Sequence, residues 1–401
     1  MKPAPVQRPR IAIACGGTGG HLFPGLAVGE QLLQRGCEVT LIVSPKEVDQ
    51  QAVQSVRGMA VVTLPAVGLV RGQVGPFLAG FLRSYRAARQ LFRREPPQAV
   101  LAMGGFTSAP PILAGRAAGA ATFLHESNTI PGKANRWLAH VVTQAFVGFP
   151  GAARHLRHSD VVHTGTPVRP QFRPGDAPSH RMALGLDPGR PVLLVTGGSQ
   201  GASGVNDLVV AALPALAAAL PDLQYLHLTG PAEVDKVRAA YAAQGLRAVV
   251  RPFLSEMELA LGAATAAVSR AGASSLAELA VMRLPAVLIP YPAAADNHQW
   301  HNARALADAG AACVLEQRGA DGPQLAALVR RLVADAEARA AMAGALAAWD
   351  VPDAAARIAD RIVRAVEALG GGRWQPSSPA SSPETGTLRL SAQAAPVGAG
   401  S

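Results

Sequence analysis

The stretch Ile11-Ala12-Ile13-Ala14-Cys15-Gly16-Gly17-Thr18-Gly19-Gly20-His21 joins a short apolar run to a glycine-rich loop. The second half of the chain repeats this arrangement, with the run Val192 to Thr196 followed by Gly197-Gly198-Ser199-Gln200-Gly201-Ala202. A strand that ends in a glycine loop and opens a helix is the βα unit with which nucleotide-binding domains begin. One such unit in each half predicts two nucleotide-type domains that face each other.

Each half then alternates short runs of Val, Ile, Leu and Ala with longer alanine-rich stretches. This alternation is typical of a parallel sheet that is covered by helices on both faces. Strands are predicted near residues 10–15, 38–43, 60–64, 98–103, 120–124 and 141–147, and again near 191–196, 224–229, 247–251, 264–268, 286–289 and 311–315. The segment Thr164 to Pro170 holds two prolines and a glycine, which predicts a hinge between the halves.

The composition fits a protein of two domains without a membrane span. The chain has 401 residues, 49% of them hydrophobic, but no run approaches the roughly 18 apolar residues that a spanning helix needs. Its start, Met1 to Pro5, lacks the apolar region of a secretory signal, so we expect a cytoplasmic protein. Cys15, Cys37 and Cys313 are odd in number and far apart, which predicts reduced thiols.

The net charge of +10 comes almost entirely from arginine. An excess of this kind predicts attraction to phosphates or to an anionic surface. Nucleic acid is not an expected partner, because the chain has only four Trp and four Tyr and no recognisable nucleic-acid motif.

Both glycine loops can bring backbone N–H groups to a phosphate, and the following helix adds a partial positive charge there. Neither matches the dinucleotide fingerprint, since Leu22 replaces its third glycine and no acidic residue ends the second strand. The second loop also reads as Gly-x-Ser-x-Gly, the nucleophile elbow of serine hydrolases. With Asp296 and His298 or His301 downstream, a hydrolase that uses Ser199 remains an alternative, although it leaves the first loop unexplained.

Polar residues at strand ends are the candidates for catalysis. His21 ends the first loop, where an imidazole can deprotonate a hydroxyl near neutral pH. Glu126 and Asn128 follow an apolar strand, at the edge where open α/β sheets bind ligands. Glu278 lies one turn into a predicted helix and can accept hydrogen bonds from a ribose diol.

A metal site is not predicted. His298 and His301 share a helix face near Asp296, yet no fourth ligand stands out.

The stretch Val74 to Arg94 predicts an amphipathic helix. Its apolar face includes Phe77 and Phe81, and its other face includes Arg83 and Arg86, with no acidic residue before Glu95. We interpret it as a face that meets an anionic membrane.

Taken together, these segments resemble the MurG family of N-acetylglucosaminyltransferases over roughly residues 10 to 365. The motifs that carry the resemblance occur in the family's order. They are Gly-Gly-Thr-Gly-Gly-His with Phe23 to Ala27, Met103 to Phe106, His125 to Asn128, Gly165 to Arg169, Gly-Gly-Ser-Gln-Gly-Ala at 197–202, and Arg270 to Glu278 with Gln299 and Asn302.

The resemblance implies an α/β protein of the GT-B glycosyltransferase fold, in which two Rossmann-like domains face each other across a cleft. The implied divisions are an N-terminal acceptor and membrane-facing domain (1–165), a UDP-sugar domain (166–348) and a helix that returns to the first domain (349–369). Independently of the resemblance, the Ser-, Pro-, Gly- and Ala-rich composition of residues 370–401 predicts a disordered tail.

The resemblance also implies the reaction. UDP-N-acetylglucosamine is the donor, undecaprenyl-diphosphate-linked N-acetylmuramyl-pentapeptide is the acceptor, and no cofactor is required. The setting is peptidoglycan synthesis at the cytoplasmic face of the cell membrane, with its links to cell shape and division. A nucleotide-sugar-binding protein that has lost turnover is a further alternative, against which His21, Glu126 and Glu278 argue.

By position, the resemblance assigns His21 as the base of an inverting displacement, with Glu126 second. Donor contacts carry over to Leu254 near the uracil, Glu278 on the ribose, Ser199, Arg270, Ala273, Ser274, Ser275 and Leu276 near the diphosphate, Gln299 and Asn128 on the sugar, and Thr18, Gly19, Gly20 and Arg169 in the cleft. The chain departs from the family pattern at Phe106, Ser127, Thr166 and His298, which affects fine substrate contacts and not the reaction class.

Overall fold

The computed structural model describes residues 8–46, 49–50, 53–54, 56–65, 74–198 and 201–370. Ser199 and the tail predicted for residues 370–401, beyond Gly370 itself, lie outside the described residues. The tail's disorder therefore stays a prediction.

The first domain is built on a parallel sheet in the order β3-β2-β1-β4-β5-β6-β7. Its strands are β1 (Arg10–Ala14), β2 (Glu38–Val43), β3 (Ala60–Thr63), β4 (Ala99–Ala102), β5 (Ala121–Glu126), β6 (Gln144–Val147) and β7 (Val161–His163). Its α-helices among the described residues are α1 (Gly19–Gln34), α2 (Val74–Arg94), α3 (Ala109–Ala117) and α4 (Lys133–Leu138).

The second domain repeats the design around a parallel sheet in the order β10-β9-β8-β11-β12-β13. Its strands are β8 (Val192–Thr196), β9 (Gln224–Leu228), β10 (Ala248–Arg251), β11 (Ala266–Ser269), β12 (Ala286–Leu288) and β13 (Cys313–Val314). Its helices are α5 (Ala177–Ala183), α6 (Ser203–Ala219), α7 (Val234–Ala243), α8 (Met257–Ala263), α9 (Ala273–Val281), α10 (His298–Asp308), α11 (Gly322–Ala334) and α12 (Ala336–Leu346).

The last helix, α13 (Ala354–Gly370), packs on the first domain rather than on the second. Ile358 and Ile362 are fully buried in the same apolar cluster as Ile11 and Leu41 of strands β1 and β2. The chain therefore crosses between the domains twice.

The predicted fold class is confirmed, and every predicted strand is present within a few residues of its predicted position. Strand β7 was missed, because it is three residues long and lies at the sheet's edge, too short for a periodicity to register. The amphipathic helix is present at Val74–Arg94 as predicted. Within the described residues, no helix is both long and apolar enough to cross a membrane.

Candidate functional site

A cleft of about 2040 Å³ lies between the domains, at the carboxyl ends of both sheets. Most residues singled out from the sequence line it. They are Thr18, Gly19, Gly20, His21, Glu126, Asn128, Arg169, Leu254, Ala273, Ser274, Ser275, Glu278 and Gln299. Arg270 and Leu276 are buried beside it and do not line it.

Three side chains from other parts of the first domain form hydrogen bonds with the backbone of the first glycine loop. The Asp49 carboxylate accepts the Gly17 N–H at 2.6 Å, and the Lys46 ammonium donates to the Gly17 carbonyl at 3.0 Å. The Thr107 hydroxyl donates to the Gly16 carbonyl at 2.7 Å. Three hydrogen bonds thus hold the loop, and its Gly17 N–H is already used by the Asp49 carboxylate.

The His21 imidazole lies against the backbone of Gly104 and Gly105, with the Thr18 hydroxyl 3.2 Å from its Nδ1. A Cβ at Gly104 would be only 2.9 Å from Nε2, so the absence of a side chain there makes room for the ring. Burial lowers the pKa of His21 to about 4, and Asp49 opposes this shift. The imidazole is therefore neutral at physiological pH, and in the tautomer whose Nδ1–H donates to the Thr18 hydroxyl the lone pair is on Nε2.

Glu126 ends strand β5 and is 3% exposed, with both carboxylate oxygens engaged. Oε1 accepts from the backbone N–H and Nδ2 of Asn128, at 2.8 and 3.0 Å. Oε2 accepts from the Gly132 N–H at 3.0 Å and from Asn135 Nδ2 at 2.9 Å. Four donors on one carboxylate fix the shape of the loop after β5, which suits a positioning role better than that of a base.

Arg169 lies within the predicted hinge, and its guanidinium stacks on one aromatic ring that precedes the hinge in sequence and on one that follows it. Its guanidinium carbon is 4.6 Å from the ring centre of Phe23 on α1 and 5.2 Å from that of Phe172. Cation–π stacking of this kind keeps the charge at a fixed place in the cleft wall. Arg169 also interacts electrostatically with Glu278, which brings these two predicted contacts together.

Burial raises the pKa of Glu278 to about 7, and nearby Glu258 adds to the shift while Arg169 opposes it. Between the ordinary value of 4.5 and about 7 the folded protein binds the proton more tightly than the unfolded chain. The contribution of this carboxyl to stability is therefore greatest below pH 4.5 and is lost as the pH rises through 7.

Glu278→Gln removes that titration. We expect the variant to be more stable than the parent protein by about 1 kcal/mol at pH 8, with no gain at pH 4.5. Chemical denaturation at both pH values measures the difference, and Glu316→Gln on the exposed surface is the matched control. A gain of equal size at both pH values would contradict the explanation.

Arg270 is 8% exposed, and its guanidinium is used within its own domain. Nη1 donates to the carbonyls of Ile289 and Pro290 at 3.0 and 3.2 Å, and Nη2 donates to Gln317 at 2.7 Å. The group predicted to offset diphosphate charge therefore braces the loop after strand β12.

Gln299 on helix α10 presents one polar atom to the cleft. Its Oε1 accepts from the backbone N–H groups of Ala271 and Tyr291, at 3.2 and 2.9 Å. Only the amide NH₂ is left to donate, which defines the kind of ligand atom it can bind.

Helix α9 begins at the cleft with Ala273, and its first turn carries Ser274 and Ser275. The Ser274 hydroxyl donates to the Gly20 carbonyl at 3.0 Å, across the cleft. A helix N-terminus of this length is a favourable place for an anion. Leu276, at 2% exposure, packs behind the turn and supports it.

Helix α2 contributes its apolar start to the same cavity. Phe77 and Phe81 line the cleft, while Arg83 and Arg86 are exposed on the helix. Leu78 is 59% exposed and Trp137 is 50% exposed beside them, an unusual amount of apolar surface to leave in water.

Within the parts of the chain that the structure describes, no group of three or more His, Cys, Asp or Glu is arranged to hold a metal ion. The Nδ1 of His298 faces the Ala295 carbonyl at 2.8 Å instead.

Sequence reasoning did not single out Asp49 or Asn135, and it named Asn302 as part of a family motif without giving it a role. Asp49 and Asn302 are fully buried and Asn135 is 3% exposed, and each contacts the loops of the cleft. Asn302 had a signal, because it follows Gln299 at helical spacing. Asp49 had none, because the contact with Gly17 joins residues far apart in sequence.

The chain matches the profiles of the glycosyltransferase family 28 N-terminal domain over residues 11–147 and C-terminal domain over residues 192–358. It is similar to proteins named UDP-N-acetylglucosamine–N-acetylmuramyl-(pentapeptide) pyrophosphoryl-undecaprenol N-acetylglucosamine transferase. The one from Anaeromyxobacter dehalogenans is 38% identical over 88% of this chain and 91% of its own length. That from Acidithiobacillus ferrooxidans is 40% identical over 90% and 98%. The crystal structure of Acinetobacter baumannii MurG superposes with a TM-score of 0.69 at 28% identity, covering 89% of this chain and 100% of that one.

Proposed function

Because the chain belongs to the MurG family within glycosyltransferase family 28, we propose that it transfers N-acetylglucosamine from UDP-N-acetylglucosamine to the 4-hydroxyl of undecaprenyl-diphosphate-linked N-acetylmuramyl-pentapeptide. The observation that carries the proposal is the single cleft in which the family's donor residues and His21 meet. This reaction belongs to peptidoglycan synthesis.

The donor is bound mainly by the second domain. The uracil lies near Leu254, the ribose diol donates to the Glu278 carboxylate, and the diphosphate lies at the start of helix α9. The NH₂ of Gln299 donates to a sugar oxygen, and Asn128 contacts the sugar from the first domain. Ribose binding needs ionised Glu278, whose pKa of about 7 places an acidic limb of kcat/KM near that pH.

The chemistry is an inverting displacement at the anomeric carbon. The acceptor 4-hydroxyl oxygen forms the new bond as the bond to the diphosphate oxygen of UDP breaks, and the UDP takes the bonding electron pair. His21, neutral because burial lowers its pKa to about 4, accepts the hydroxyl proton. Glu126 shapes the loop that carries Asn128.

We further propose that no metal is required. The leaving diphosphate gains negative charge, and we assign its stabilisation to the N-terminus of α9 with the hydroxyl of Ser275. Gly197 and Gly198 of the second glycine loop line the cleft as well.

Labelled UDP-N-acetylglucosamine and the lipid-linked muramyl-pentapeptide test the proposal directly. We expect label in the lipid fraction and stoichiometric release of UDP. Donor binding without transfer, with substrates that a MurG enzyme accepts, would favour the non-catalytic alternative. Labelling of Ser199 by a fluorophosphonate would favour the hydrolase.

The protein works at the cytoplasmic face of the membrane, as a peripheral protein. Its acceptor is anchored in lipid, and the exposed apolar groups of α2 and Trp137 lie at the mouth of the cleft beside exposed arginines. Such a surface buries apolar groups in the interface while its arginines meet anionic headgroups.

The double substitution Arg83→Glu with Arg86→Glu is expected to weaken binding to vesicles of phosphatidylcholine and phosphatidylglycerol about 100-fold, because each arginine contributes on the order of 1 kcal/mol near an anionic surface. Vesicle sedimentation measures the affinity of each variant for the vesicles. Arg238→Glu with Arg330→Glu, exposed on the second domain, makes the same charge change and should leave binding within about threefold of the parent protein. Equal losses in the two variants would show that net charge alone is responsible.

A further inference from the structure

Asn302 lies in helix α10 and is fully buried where the two domains meet. Its Oδ1 accepts from the backbone N–H and the hydroxyl of Thr129, at 2.9 and 2.8 Å. Its Nδ2 donates to Asn128 Oδ1 at 3.0 Å and to the Ala271 carbonyl at 3.1 Å. All four hydrogen-bonding positions of the amide are used, and three of them reach the first domain.

Asn128 is thereby held from both sides. Its Nδ2 donates to Glu126 in its own domain, and its Oδ1 accepts from Asn302 in the other domain. The orientation of the Asn128 amide in the cleft therefore depends on how close the second domain stands. If the domains separate, Asn128 loses one of the two partners that orient it.

The other polar contacts across the cleft are more exposed to water. Arg136 and Asp296 form an ion pair at 2.6 Å, but both side chains are about 40% exposed, so its net contribution is small. The Ser274 hydroxyl donates to Gly20 at an exposed position. Breaking a buried, fully satisfied amide leaves several groups without partners, which costs much more.

We propose that Asn302 is a positioning residue that makes the sugar contact of Asn128 conditional on closure of the cleft. The inference rests on the proposed function and adds a step to it. Nucleotide binding engages mainly the second domain, whereas the sugar is held for attack only when Asn302 reaches the loop after strand β5. Closure and correct placement of the sugar are then one event.

Asn302→Asp tests this proposal, because it hardly changes the shape of the side chain. It replaces the NH₂ that donates to Asn128 and Ala271 with an oxygen, which cannot donate to them when ionised. We expect kcat/KM to fall about 100-fold, since buried partners are lost. The affinity for UDP alone should stay within about twofold of the parent protein, because Asn302 is not among the residues that we propose bind the nucleotide. Small-angle scattering should show compaction on adding UDP-N-acetylglucosamine to the parent protein and none in the variant.

The variant Asn128→Ala supplies the decisive comparison. If Asn302 acts through Asn128, adding Asn302→Asp to Asn128→Ala should lower kcat/KM much less than it does in the parent protein. Losses that simply multiply would overturn the proposal, and so would an equal fall in UDP affinity.

Two further variants complete the test. Arg136→Gln breaks the exposed ion pair instead and should keep kcat/KM within about threefold. Should Asn302→Asp fail to fold, Thr129→Val removes one donor to the same amide, and we expect it to lower kcat/KM about tenfold with UDP affinity unchanged. Failure of the parent protein to transfer label would instead count against the proposed function.

Discussion

Replacing His21 with alanine is expected to lower kcat about 1000-fold, within the range that a positioned general base contributes. The imidazole is neutral at physiological pH, is fixed against the Gly104–Gly105 backbone and lies on the cleft wall. The affinity for UDP-N-acetylglucosamine should stay within about threefold, because we propose that the other domain makes most of the donor contacts. Single-turnover transfer and calorimetric donor binding separate the two quantities.

His298→Gln is the matched control, since His298 also lines the cleft but from the second domain. We expect it to lower kcat less than tenfold, because the mechanism proposed above gives the proton to His21 and assigns no step to His298. A larger loss in this variant than in His21→Ala would place the base on the second domain. The residual activity of His21→Ala should keep its acidic limb near pH 7, since that limb belongs to Glu278.

The fold was predictable because its information is local. Strands buried on both faces appear as short apolar runs, and the glycine loops mark where the first strand of each sheet ends. Strand β7 was not predicted, because three residues at the edge of a sheet are too few to show a hydrophobic pattern. The sheets could be deduced from these runs, but the distance between the domains could not, since it depends on contacts between distant residues.

The candidate site was only partly predictable for the same reason. Strand ends bring His21 and Glu126 to one edge, and the sequence indicates strand ends well. The sequence does not show whether a polar side chain already uses its hydrogen-bonding positions within the protein. In the sequence, Arg270 and Glu126 both look like charges that are free to bind a ligand. In the structure, Arg270 donates to two backbone carbonyls and to Gln317. The Glu126 carboxylate accepts from four N–H donors. The family motif includes Asn302, but the sequence does not show that this residue is fully buried.

Gly16→Ala is expected to lower the free energy of unfolding by about 4 kcal/mol, or to prevent folding. A Cβ at this position would clash with the backbone N of Ser44 and lie 2.8 Å from the carbonyl carbon of Val43, at the end of strand β2. Backbone cannot move aside as a side chain can. Pushing β2 away would also disturb Ser44, whose N–H and hydroxyl both donate to the Asp49 carboxylate. Chemical denaturation of the purified variant measures the loss.

Gly344→Ala is the control, because that glycine lies in helix α12 and an added methyl group would have nothing within 4 Å of it. It should be neutral or stabilising by up to about 1 kcal/mol, as alanine favours the helix. Stability changes of similar size in the two variants would refute the steric argument. If the expected difference is found, the first glycine of the loop serves close packing of β1 against β2. By displacing Ser44, the same clash would also disturb Asp49. The Asp49 carboxylate accepts the Gly17 N–H, so the loop that precedes His21 would be held less firmly. The need for glycine at position 16 is then explained by backbone packing, without any phosphate.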